Sequence, residues 1–549
     1  MRRILRNEKG VPIACHIIGG QSVLNSSLME VFNPSTGQVI GVVSDSLPKG
    51  NLDDIQRDAH EAQECWYHEV TEQEKEQVFR TIIAKIEENR GAIARTMVLE
   101  GGKLWRWADA EIQETIDTLW HYHGEISRCY THDGFTRCQM PDKNAFSILK
   151  PYGLILGIFP WNFPLAILFW KLCGALAGGN AIVLKAAEQT PFTAEIAVSL
   201  IRQSIHETIA DSKRLWKLRS LVQLVQGRGE TSGKLLVEEL DYDLVTFTGS
   251  GEVGFNVAAI AASRRKNGRP YGRPCHLELG GHAAMVVLDD FDIDLAVAEA
   301  INANLGDSGQ RCVSARVVFV QESKFKEFTS KYLERAQARV IGDPMSFSTE
   351  MGPLISHEQL TRVLDQIAKT TDELGKGPVL ELGPSIGNFT PLDKKLRQGY
   401  YCGPTVFIDV PYGVTAMDEE IFGPVLVINH LPGRTREEAF WNAVELGKKS
   451  YAGLSNSLLT NDRRLTSKAP WYFNTGIFYE GRGPTGAELN KYFAAIKASG
   501  WGIEGKGLES WTCKMQVYDD YHGKARMAQA GADEKVKKLI SEAQSPLEI

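Results

Sequence analysis

Between residue 154 and about residue 340, short apolar runs alternate with amphipathic segments: LILGIF, AIVLK, LVQLV, LVTFT, CHLEL, AMVV and VSARVVFV each lead into a turn or a helical pattern. Apolar runs of this length suit strands buried on both faces, and the segments between them supply the cover, so the pattern predicts parallel sheets flanked by helices. Upstream, Thr71 to Glu74 spells a capping box, and Val78, Phe79, Ile82, Ile83, Ile86, Ile93 and Met97 keep helical spacing. A long covering helix, broken near Gly91, is expected there. Residues 153–170 approach membrane-spanning length, yet Pro160, Asn162 and Pro164 interrupt them and Lys171 closes them, so they read as buried strand, turn and helix. Residues 375–403 and 481–507 are rich in Gly and Pro and read as surface loops. Beyond Tyr518 the chain turns polar, with a helical pattern around residues 534–543.

Length changes this picture by requiring more than one core: 549 residues exceed what a single domain of ordinary size holds. Charged residues at 23% and apolar residues at 43% are globular proportions. Lys and Arg number 61 against 68 Asp and Glu and are spread along the chain, which excludes a nucleic-acid surface. The nine cysteines are scattered and include no CxxC pair, so neither a disulfide framework nor a zinc site is expected, and a reducing, cytoplasmic setting fits. The opening MRRILRNEKG lacks the apolar run of a secretory signal, so export is not expected.

Candidate chemistry gathers at three places. The strand signal LVTFT runs into GSGEVG (residues 249–254) and then the apolar-periodic FNVAAIAA, an order that turns backbone N–H groups at a helix N-terminus toward a pyrophosphate. Taken alone, the motif is also what a tight turn needing glycine for packing would show. The acidic residue nearest the usual ribose position is Glu278, within LELGG. Cys312 lies in SGQRCVSAR between a helical segment and a strand, where a loop end presents a sulfur to a cleft. Position alone leaves an inert core cysteine as the commoner outcome. Glu278, 34 residues earlier, supplies a carboxylate, and a Glu–Cys pair without metal ligands suits thiol addition to a carbonyl followed by attack of water.

Other signals read as structural. His121 and His123 sit two apart on a helical pattern and point in different directions. GRGETSGKL (residues 227–235) is one residue too long for a P-loop, and Leu235 replaces its Ser or Thr. Trp105, Trp107 and Trp120 read as core or interface aromatics.

Seven strings in one order resemble the aldehyde dehydrogenase superfamily from about Val31 to Val517: FNPSTGQVI, FPWNFPL, GNAIVLKAAEQTP, FTGSGEVG, LELGG, GQRC and EEIFGPV. The resemblance implies that Cys312 attacks the aldehyde carbon and that Asn162 donates its amide to the oxyanion beside the Cys312 N–H. Glu278 then activates the water that hydrolyses the thioester. For the cofactor it implies Lys185 and Glu188 at the adenosine ribose, Gly249, Ser250 and Gly254 at the pyrophosphate, Glu420 at the nicotinamide ribose, and Trp161 and Phe422 beside it. No metal is implied. An acidic Glu188 repels a 2′-phosphate, which favours NAD while leaving NADP possible.

The chain departs from the family pattern at Ala186, His282 and Asp307, where Pro, Lys and Asn are usual, and PFGG becomes Tyr492-Phe493-Ala494-Ala495. GPTGAEL (residues 483–489) resembles the loop with which amino-acid semialdehyde members hold a substrate's polar end. The fold implied is α/β: a Rossmann-type cofactor domain over residues 1–135 and 157–281, an α/β catalytic domain over 282–475, and oligomerisation segments and tail over 136–156 and 476–549. A homo-oligomer that neither spans a membrane nor binds nucleic acid, acting on a small-molecule aldehyde, is expected. Two rival readings are a coenzyme A-acylating dehydrogenase, against which Glu278 argues, and a non-catalytic scaffold that kept the fold.

Overall fold

A computed structural model describes residues 5–6, 10–130, 134, 136–137, 143–381, 394–486, 488, 490–505, 507–521 and 533–543. Two large sheets organise it. The first has eight strands, in the order Gly500–Trp501, Cys275–Glu278, Leu244–Thr248, Leu154–Ile158, Ala181–Lys185, Val222–Val225, His16–Ile18 and Gln21–Val23. The five strands from Cys275–Glu278 to Val222–Val225 are parallel. In chain order their arrangement is 5-4-1-2-3, so the direction of winding reverses between Leu154–Ile158 and Leu244–Thr248, and a crevice opens there at the carboxyl ends of the strands. Helices Leu52–His68, Ala166–Ala177, Pro191–Thr208 and Gly251–Ser263 pack on this sheet, with Glu72–Glu88 and Trp105–Glu125 lying outside them. The break expected near Gly91 falls at Asn89, between Glu72–Glu88 and Arg90–Gly101.

The second sheet has seven strands: Leu380–Glu381, Thr405–Ile408, Val425–Leu431, Ala315–Gln321, Ala283–Val287, Ser455–Leu459 and Ile477–Glu480. Alternate residues of its central strands enter different cores. Val286, Val317 and Val427 face helices His357–Leu374 and Arg436–Lys449, whereas Met285, Val318 and Ile428 face Ile293–Leu305 and Glu322–Gln337. Burial on both faces is what the unbroken apolar runs require. A separate three-stranded sheet joins Thr512–Asp520, Lys143–Pro151 and Thr136–Arg137.

Two loop expectations are corrected. Residues 481–507 contain the strands Tyr492–Ala494, Ile496–Lys497, Gly500–Trp501 and Ile503–Gly505. They lack periodicity because each pairs over only two or three residues. Gly500, at φ 117°, lies so close to the edge strand that a Cβ there would strike the Leu277 carbonyl. Within 375–403, Leu380–Glu381 pairs with Thr405–Ile408, and residues 382–393 lie outside the described residues. The tail pattern forms the helix Asp533–Ala543.

Helix Ala166–Ala177 meets Trp511 at Gly174, where a Cβ would enter the indole ring. Trp511 is fully buried and its Nε1 donates to the Tyr122 hydroxyl at 3.2 Å, so it has no room to retreat. Gly174→Ala should therefore destabilise the fold by about 1–3 kcal/mol, read as a lowered denaturation midpoint, and an unchanged midpoint would contradict this packing.

Candidate active site

LELGG links the two sheets: Glu278 ends a strand of the first and Ala283 begins a strand of the second. The Glu278 carbonyl accepts from Gly249 N–H at 3.1 Å, which locks the glycine turn against it. Its side chain is only 2% exposed, and neither carboxyl oxygen has a partner. Burial pushes its pKa well above the ordinary carboxylate range, Glu504 adds to the rise, and Lys171 opposes it. Lys171 donates to Thr246 Oγ1 at 2.8 Å and pairs with Glu504, which also accepts from Thr246.

Cys312 follows a tight loop. Asp307 (φ 54°), Ser308 (φ 56°) and Gly309 (φ 73°) are all left-handed, a costly conformation for the two non-glycine residues that turns the chain sharply before the strand Ala315–Gln321. Cys312 is partly exposed and, with Trp170 and Ile477, packs against Val313, Leu454, Phe493 and Ala495. Burial pushes its pKa up to about 12, and Glu420 and Glu278 disfavour the thiolate further while Arg316 favours it. That electrostatic contact puts the sulfur within the field of both carboxylates. Trp170 and Phe493 also line a narrow pocket, scarcely wider than one water, with Thr118, His121, Glu488 and Lys491.

Asn162 is buried beside this loop: its Nδ2 donates to the Gln310 carbonyl at 3.1 Å, and its Oδ1 has no partner. Glu420 folds onto the LELGG turn, accepting from Gly281 N–H at 3.2 Å, and a Cβ on Gly280 would collide with its carboxylate. Phe422 meets the edge of Trp161 at 5.6 Å. Arg316 binds these loops together. It donates to the carbonyls of Gly309 (2.8 Å), Gly423 (3.2 Å) and Arg311 (3.0 Å), and lies 3.7 Å from Glu420 Oε1. The sequence offered no signal for it beyond a place in SGQRCVSAR.

The remaining predicted residues lie at the crevice. Lys185 ends the strand Ala181–Lys185, buried, 3.7 Å from Glu188 Oε2, and donates to the Ala186 carbonyl at 2.6 Å. Gly249 and Gly254 serve packing: a Cβ would stand 2.7 Å from the Phe247 ring at the first and strike Leu279 at the second. Ser250 is exposed and extended ahead of helix Gly251–Ser263, and Gly251 faces open space. The first-turn N–H groups of that helix have no intrahelical acceptor, so the strand-end crevice fits an anionic dinucleotide.

Sequence reading also missed Arg311. It is 4% exposed, stacks 4.3 Å from Trp107, and keeps Nε and Nη2 unpartnered. Trp107, expected as a core or interface aromatic, is partly exposed beneath that guanidinium.

The model of the aldehyde dehydrogenase family matches residues 22–517. The lactaldehyde dehydrogenase of Escherichia coli is 31% identical over 508 residues, covering 91% of this chain and 97% of that protein. An aldehyde dehydrogenase of Emericella nidulans is 30% identical over 493 residues, covering 88% and 90%. Among solved structures, the betaine aldehyde dehydrogenase of Staphylococcus aureus in complex with NAD+ superposes with a TM-score of 0.83 at 24% identity, covering 94% and 97%.

The state of Glu278 bears on stability. A carboxyl whose folded pKa is raised contributes most below the unfolded value, and that contribution is lost as pH rises through the folded value. Glu278→Gln should accordingly raise the thermal midpoint relative to the parent protein by more at pH 8 than at pH 5. A gain that is the same at both would show that the carboxyl is not held in its protonated form.

Proposed function

The chain belongs to the aldehyde dehydrogenase family, and on that premise we propose that it oxidises an aldehyde to a carboxylic acid through a covalent intermediate on Cys312. The observation that supports the reading is that Cys312 lies within the field of the raised-pKa Glu278 carboxyl, while the buried Asn162 amide bonds the carbonyl of Gln310, two residues before the thiol. Cys312 Sγ adds to the carbonyl carbon as its proton leaves, giving a thiohemiacetal. Asn162 Nδ2, released from the Gln310 carbonyl, and the Cys312 N–H stabilise the oxyanion where charge develops. When bound, the dinucleotide supplies the hydride acceptor. Departure of hydride leaves a thioester on the sulfur. Glu278, once it has released its own proton to solvent, takes a proton from water as the water attacks the thioester; that proton passes to the departing sulfur, and the acid leaves with the thiol restored.

Lys185 and Glu188 would hold the adenosine ribose, with Ser250 and its neighbours Gly249 and Gly254 at the pyrophosphate. Glu420 would hold the nicotinamide ribose, with Trp161 and Phe422 beside the ring. Glu188 favours NAD over NADP by repelling a 2′-phosphate. The first sheet with its helices would be the cofactor domain, expected over 1–135 and 157–281 but also taking in the start of Leu154–Ile158 and Gly500–Trp501, and the second would be the catalytic domain, expected over 282–475 but also taking in Ile477–Glu480. The three-stranded sheet would serve oligomerisation: Thr512–Asp520 pairs along its length with Lys143–Pro151 and is mostly exposed. The scattered cysteines, none in a disulfide among the described residues, fit a cytoplasmic setting. A carboxylate-bearing aldehyde is the favoured substrate class, since Arg311 keeps two donors free beside the loop at residues 483–486; Ala487 and Leu489 of that loop lie outside the described residues.

A spectrophotometric panel of aliphatic, aromatic and carboxylate-bearing aldehydes, with NAD and NADP and with and without coenzyme A, tests this directly. NADH production without coenzyme A is expected, and strict dependence on it would replace hydrolysis by acyl transfer. Cys312→Ser should abolish NADH production while leaving NAD binding intact; an unchanged rate would remove the covalent mechanism. Glu278→Gln should keep a first-turnover burst and lose steady-state turnover, so loss of the burst as well would contradict the role given to Glu278.

A further inference from the structure

Lys103 lies outside every motif discussed above, on the link between helices Arg90–Gly101 and Trp105–Glu125. It is 5% exposed, an expensive position for an ammonium unless it is paired. Its Nζ donates to Glu111 Oε2 at 2.6 Å, lies 3.5 Å from Asp307 Oδ2, and sits 3.9 Å from the Phe163 ring centre. Both carboxylates reach the chemistry. The other oxygen of Glu111 accepts from Leu165 N–H (2.8 Å) and Ala166 N–H (3.0 Å), fixing the chain three residues beyond Asn162. Asp307 opens the left-handed turn before Cys312, and its carbonyl accepts from Gln310 N–H at 3.1 Å and from the Gln310 side chain at 3.3 Å. Gln310 is held as well by Pro353 O at 3.4 Å and Ile355 N–H at 2.9 Å, and its own carbonyl receives the Asn162 amide at 3.1 Å.

These contacts close a ring: Lys103, Glu111, the 162–166 segment, Asn162, Gln310, Asp307, and Lys103 again. We propose that Lys103 is a positioning residue for the oxidation, holding the loop that carries the oxyanion amide in register with the loop that carries the nucleophile. The inference rests on the reading of Cys312 and Asn162 given above. Neither loop belongs to regular secondary structure at the reacting residue, so each needs a tether, and one cation between two carboxylates supplies both. Asp307 stands where the family pattern usually has Asn, which gives this chain a charged second arm. Because a displacement of about 1 Å costs a reaction up to ~100-fold, loosening the ring should be visible in hydride transfer while the dinucleotide crevice is untouched.

The test is rapid-mixing measurement of the NADH burst with NAD and, at high concentration, whichever aldehyde of the panel above is turned over fastest, using the full chain. Lys103→Met should lower the burst rate constant by about tenfold with NAD affinity unchanged. On an Asn162→Ala background the same change should cost less than about twofold further, because the lysine acts through that amide. Asp307→Asn, nearly isosteric and safe for folding, should slow the burst about threefold in the parent and leave the Asn162→Ala protein unaltered; it decides the matter if Lys103→Met does not fold. Full burst rates in the folded variants, or an equal loss with and without Asn162, would overturn the inference alone. A parent protein with no burst would overturn the oxidation reading and this inference with it.

Discussion

Three loops must hold still around one sulfur, and the buried guanidinium of Arg316 is the constraint on which that depends. It spends its donors on the carbonyls that precede Cys312 and follow Phe422, and its charge faces Glu420. The Arg311 and Gly423 carbonyls also accept from Ser314 and Val425 N–H, so the guanidinium adds a second, charge-assisted bond to each and ties them to the Gly309 carbonyl. The same charge, together with the backbone N–H of Cys312, favours the Cys312 thiolate against two carboxylates and burial. A single side chain therefore fixes shape and sets reactivity together.

The site is held in a resting condition poorly suited to charge. Glu278 lacks any partner, the Cys312 thiol is pushed far up, and the Asn162 amide is occupied by a neighbouring carbonyl. Each feature costs stability or reactivity in isolation, and under the proposed oxidation an aldehyde and water would relieve each: an oxyanion would draw the amide, and Glu278, once deprotonated, would accept a proton from water. Buried, imperfectly satisfied polar groups are expected where binding and reaction supply what folding withholds. The surrounding networks, Lys171 with Glu504 and Lys103 with Glu111 and Asp307, are by contrast well paired, which keeps the imperfections local.

Much of this could be read along the chain. Fully apolar runs such as AIVLK and LVTFT specified buried parallel strands because no other placement covers both of their faces, and the capping box at Thr71 and Glu74 marked its helix start. Cys312, Glu278 and Asn162 were legible through short strings whose order is itself improbable. The strands Thr405–Ile408 and Ser455–Leu459 were missed, since short runs among glycines and prolines look like loops until a neighbour pairs with them.

The sequence by itself determined the classes of layer, the helix boundaries with local caps, and the candidate reacting groups, because propensity, capping and chemical type act over a few residues. Only the tertiary structure decided that Arg316, Lys103 and Glu504 belong to the site, that Gly500–Trp501 completes the first sheet, and which glycines pack and which stay open. Those outcomes depend on pairs far apart in sequence, and a side chain carries no local mark of the distant carbonyl or carboxylate that burial obliges it to meet.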